Sequence, residues 1–160
     1  MNAMRSRRAA GCVARGLSAV ILLTGPASMS GVARAEPAAV CAAAGDHHTV
    51  VALDGGVWAW GLNDAGQIGD GTTETRPAPV RVKDMDAADA LAAGSRHTVA
   101  LKGGAVWTWG LNDQGQLGDG SRRSRSVPAR VPGLSGVVAV AAGDGHTVAI
   151  KADGTVWTWG

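Results

Sequence analysis

The sequence has no phenylalanine, no tyrosine and only two cysteines in 160 residues. Its six tryptophans are therefore the only aromatic side chains, so large apolar contacts must come from tryptophan and aliphatic residues. Charged residues make up 18% of the chain, and no apolar run approaches the roughly 20 residues that span a bilayer. A helical bundle is also excluded. Glycine occurs 24 times, and no apolar pattern of period 3.6 persists beyond the first 35 residues. No phosphate-binding glycine loop, no Ser-His-Asp order and no Cys-x-x-Cys pair is present. The expectation is a non-catalytic chain with no cofactor and no metal.

The N-terminus reads as a secretory leader, residues 1–35. Arg5, Arg7, Arg8 and Arg15 precede an apolar stretch, Leu17-Ser18-Ala19-Val20-Ile21-Leu22-Leu23, and Ala33-Arg34-Ala35 supplies a small-x-small cleavage pattern. The expected location is secreted or periplasmic, with no membrane insertion after the leader is removed. The leader takes five arginines and no acid. The remainder from Glu36 keeps 10 basic residues against 13 acidic ones, a formal charge of −3. Such a domain lacks the broad positive field that phosphate backbones select, so nucleic acid is not an expected partner. Cys12 leaves with the leader. Cys41, in the apolar run Ala39-Val40-Cys41-Ala42-Ala43, is expected to be buried.

From Gly45 onward the chain repeats. Gly45, Gly94 and Gly143 are 49 residues apart, as are His48, His97 and His146. Trp58 and Trp60 recur as Trp107 and Trp109, then as Trp157 and Trp159 after a one-residue insertion. Gly45–Ala93 and Gly94–Ala142 match at 24 of 49 positions. A fixed period in this range marks solenoids, propellers or arrays. Each unit reads as strands. Val137–Ala142 is a continuous apolar run, His146–Lys151 a second strand, Ala152-Asp153-Gly154 a hairpin turn, and Thr155–Trp159 a third strand. Earlier units add a glycine-rich loop, Gly61–Gly71, and a fourth strand at Pro79-Val80-Arg81-Val82. Its proline suits an outer edge that tolerates a missing donor. Four strands in about 49 residues make one propeller blade.

The stretches Ala93–Leu101, Val106-Trp107-Thr108-Trp109-Gly110 and Asn112–Gly120 resemble the regulator of chromosome condensation repeat. The resemblance runs through nearly all of the chain after the leader. It implies an all-β fold of four-stranded antiparallel blades, in a propeller of usually seven, with the Val-Ala-Ala-Gly strand innermost. The expected layout is a first repeat over residues 36–86, a second over 87–135 and a partial third over 136–160. About two and a half blades are thus expected, incomplete at the C-terminus. If the chain ends at Gly160, self-association would be needed to close a ring.

Candidate functional residues are few. The three repeated histidines are expected to be structural, for instance by bonding a loop backbone. Asn63-Asp64 with Asp70, and Asn112-Asp113 with Asp119, lack calcium-loop spacing and suit turns instead. The plant ultraviolet-B photoreceptor of this family depends on a Gly-Trp-Arg-His-Thr motif. Here Gly94-Ser95-Arg96-His97-Thr98 replaces its tryptophan, so photoreception is not implied. Arg122, Arg123 and Arg125 form a unit-specific basic cluster, read as either a solvated loop or a contact patch for an acidic partner. Family members bind proteins: some act on small nuclear GTPases, and secreted bacterial members resemble β-lactamase inhibitors. The expected function is a module that binds a protein partner outside the cytoplasm. The alternatives are a repeat segment of a larger envelope protein, or exchange-factor activity on a GTPase as in eukaryotic members.

Overall fold

The computed structural model describes residues 41–53 and 55–160; the leader expected over residues 1–35 lies outside them. Among the described residues the regular structure is entirely β. The first sheet holds β1 (Cys41–Ala44), β2 (His48–Leu53), β3 (Gly56–Gly61) and β4 (Arg76–Arg81). The second holds β5 (Ala90–Ala93), β6 (His97–Lys102), β7 (Ala105–Gly110) and β8 (Arg125–Arg130). The third holds β9 (Val137–Ala142), β10 (Thr147–Lys151) and β11 (Val156–Trp159). Strands in each sheet are antiparallel and follow chain order, giving two four-stranded blades and a three-stranded third of a β-propeller. The innermost strands β1, β5 and β9 lie side by side. No helix among the described residues is long and apolar enough to cross a membrane.

The fourth strand begins three residues before the expected Pro79. In β3 the register shifts between Ala59 and Gly61, and the shift brings Gly61 opposite Arg76. The same bulge puts Gly110 opposite Arg125. Gly61 sits at φ 109° against the His47 carbonyl, where a side chain would collide. Pro77 and Pro79 lie on the outermost strand, where an absent amide breaks no ladder.

Two apolar cores fill the spaces between neighbouring blades. One gathers Val50, Val57, Ile68, Val82, Met85, Leu91 and the whole Trp109 side chain, which reaches across from β7. The other gathers Val99, Leu101, Val106, Leu134, Val140 and Ala149, with Trp159 packed against it. The middle sheet thus has a covered face on each side, and the first five residues of β6 are all buried. Cys41 is buried as expected, its thiol 3.4 Å from the Asp89 carbonyl.

Candidate binding surface at the loop-bearing end

The β1–β2 turns and the long β3–β4 loops emerge at one end of each sheet, because His48 pairs with Gly61 in the ladder. The second blade repeats this with His97 and Gly110. The residues that repeat in these loops build scaffold. Asn63 accepts from the Ile68 amide at 2.9 Å and donates to the Thr72 carbonyl at 3.1 Å. Gln67 accepts from the Ala65 amide and donates to Asp64. Asp70 accepts from the amide and hydroxyl of Thr72 and pairs with Arg76 at 2.6 Å. Burial alone would raise its carboxyl. The Thr72 bonds and the Arg76 charge outweigh that and hold it below the usual carboxylate range. Asn112, Gln116 and Asp119 repeat the arrangement with Leu117, Asp113 and Ser121.

His48 and His97 each close a clamp onto the next blade. His48 Nε2 lies 2.9 Å from the Thr98 hydroxyl, and that hydroxyl donates its one proton to the Gln67 carbonyl at 2.8 Å. His48 must therefore donate its Nε2–H, which leaves Nδ1 as a lone pair with no partner. Trp109 Nε1 donates to the same Gln67 carbonyl at 2.9 Å. His97, Thr147, Gln116 and Trp159 form the second copy. The repeat leads to the expectation of a structural role for these rings, for instance through loop backbone; His48 and His97 bond a hydroxyl on the neighbouring blade, which relays the bond to a loop carbonyl. Burial lowers the pKa of His48 to about 4, although Asp46 pulls the other way. Burial also takes His97 to about 4, helped by the neighbouring His48 and His146. A Cβ at Gly45 would stand 2.7 Å from His48 Nδ1, which explains a glycine at that step of the repeat.

The three arginines of the basic cluster do not share one environment. Arg125 turns inward: it pairs with Asp119 at 2.9 Å and donates to the Thr108 hydroxyl at 2.7 Å. It occupies the repeat position of Arg76, which makes the equivalent pair with Asp70. Arg122 and Arg123 remain exposed at the loop tip. Arg96, on the β5–β6 turn, was not singled out by sequence. Its Nη2 bridges the blades to Asp64 at 2.5 Å, and this bond holds the Asp64 carboxyl below its usual range. Arg96, Asp64, Thr73, Ser124, Arg125 and Ser126 line a shallow depression of about 280 Å³ between the first two blades.

The model of the regulator of chromosome condensation (RCC1) repeat matches residues 54–101 and 103–150, more than half of the chain. The chain belongs to the RCC1 repeat family. A second RCC1 repeat model matches residues 40–67 and 89–116. Among solved structures, human WBSCR16 shares 28% identity over 74% of this chain, with a TM-score of 0.65. Yeast RCC1 (Prp20), in its structure bound to Kap60, shares 25% identity over 74% of the chain, with a TM-score of 0.66. Prp20p from Saccharomyces cerevisiae, described with its binding to Gsp1p and histones, matches at 22% identity over 76% of the chain with a TM-score of 0.61, and supports the RCC1 fold. The chain spans about a third of the length of these solved chains, 33%, 31% and 32% respectively.

Proposed function

We propose that this chain is a non-catalytic RCC1 propeller module that binds a protein partner outside the cytoplasm through its loop-bearing end. One observation carries the reading. Residues that recur between blades are turned into scaffold, as with Asn63 and Asn112 or His48 and His97. Exposed loop-tip residues differ from blade to blade: Thr73 and Glu74 become Arg122 and Arg123. A rigid frame with variable exposed loops is the arrangement from which propellers and other scaffolds recognise partners. Yeast RCC1, which shares the fold, has been seen bound to Kap60. The leader of residues 1–35 supports export.

Photo-crosslinking in the native host tests the reading. A photoreactive residue at Thr73 or Arg123 is expected to yield one discrete protein adduct in the extracytoplasmic fraction. The same residue at Gly103, in the turn at the opposite end, should yield none. Equal labelling from both ends, or a chain retained in the cytoplasm with Met1 intact, would overturn it.

A further inference from the structure

We infer that the segment recognised at this end is acidic, a short run of aspartate or glutamate side chains that docks on Arg96, Arg122 and Arg123. The inference rests on the protein-binding reading above and names the chemistry of the partner. Its first support is a local reversal of charge between two loops of the same frame. In the first loop Glu74 lies 3.3 Å from Arg76, and Asp70 pairs with the same arginine. In the second loop the acid is replaced by Arg123 and the threonine by Arg122, while Asp119 is already engaged by Arg125. Two exposed guanidinium groups are left, with no ion pair among the described residues.

The second support is the donor balance of the adjoining depression. Arg96 uses Nη2 on Asp64, and 39% of its side chain stays exposed. Ser124 Oγ accepts from the Asn112 amide, so its own proton is left to donate. Thr73 and Ser126 bring further hydroxyls to the same wall, and the Asp64 carboxylate is the one charged acceptor there. A surface rich in donors and poor in acceptors fits carboxylates, and guanidinium groups take them in bidentate geometry. The wall is firm, because the Gly71 amide of the first blade bonds the Ser126 carbonyl of the second at 2.9 Å.

A short acidic peptide fits better than a nucleic acid. Asp46, Asp64, Asp113 and Asp144 stand at the same end of the sheets, and the chain after its leader carries −3. This basic island within an acidic surroundings would repel a continuous phosphate backbone while attracting a local cluster of carboxylates.

Fluorescence anisotropy of labelled hexaglutamate against the exported protein tests the proposal. The double variant Arg122→Glu/Arg123→Glu should weaken binding about tenfold or more, and Arg96→Gln by a few-fold. Added salt should weaken binding to the unaltered protein. Arg81→Gln with Arg130→Gln, exposed on the outer strands, should leave it unchanged. Unaltered thermal melting of the arginine variants would confirm that folding is not the cause. Hexaglutamate binding that ignores the Arg122/Arg123 reversal overturns the inference. So does tighter binding of a single-stranded oligonucleotide that depends on the same arginines. The crosslinking experiment separates the two levels: a protein adduct that survives the Arg122/Arg123 reversal overturns the acidic segment and leaves the protein-binding reading in place.

Discussion

Leu101 in β6 and Ile150 in β10 occupy the same step of the repeat, yet the first is 3% exposed and the second 40%. Val106 and Val156 differ further, 0% against 61%. The middle sheet is covered on both faces by its neighbours, whereas the third is covered on one. Burial here belongs to the contact between two blades, not to the blade. An apolar side chain is stabilised by area removed from water, roughly 25 cal/mol per Å², so the same residue contributes differently in the two sheets.

Tryptophan gives the widest contrast. Trp109 and Trp159 both donate to a glutamine carbonyl of the preceding blade, but Trp109 is wholly buried and Trp159 partly so. Trp109→Ala is expected to cost about 3–5 kcal/mol in urea unfolding. Trp159→Ala should cost clearly less, and equal losses would break the comparison.

Acid titration should act on the clamps at both sides of the middle sheet. His48 and His97 have folded pKa values of about 4, below the ordinary 6.5. The folded state thus binds fewer protons than the unfolded one between these values. Their stabilising contribution is complete above pH 6.5 and is lost as pH falls towards 4. The loss is on the order of 3 kcal/mol for each ring at pH 4. His48→Gln and His97→Gln should each flatten the stability profile between pH 6.5 and 4. An unchanged slope would show that these rings are not the groups being titrated.

The relay hydroxyl should have a smaller effect. Thr98→Val leaves the His48 Nε2–H without an acceptor and is expected to cost about 1–3 kcal/mol. Thr49→Val, at the same repeat position in the first blade but without a described clamp, should change stability by about 0.5 kcal/mol or less. Calorimetric melting of the two variants side by side decides it.

The strands were legible because their signals are local. The continuous apolar run at Val137–Ala142 and the Asp-Gly turn place β9, β10 and β11 to within one residue. The start of β4, expected at Pro79, was not legible, because the bulge that pairs Arg76 with Gly61 depends on a neighbouring strand. The 49-residue step did carry the clue that Arg125 is scaffold, since Arg76 stands at the same position. Grouping it with Arg122 and Arg123 by proximity in the chain hid that clue. Arg96 and the partner of each histidine were out of reach, since no pattern within one repeat tells which side chains of the next repeat lie opposite.

The clamp also gives the stack a polarity. The imidazole N–H of His48 and that of His97 are both offered forward to the following blade, and the Thr98 and Thr147 hydroxyls receive them from the one before. Two copies joined face to face about a two-fold axis would set donor against donor on one side and acceptor against acceptor on the other. Blades of this design are therefore complementary only head to tail, and an assembly built through these faces grows in one direction or closes into a ring.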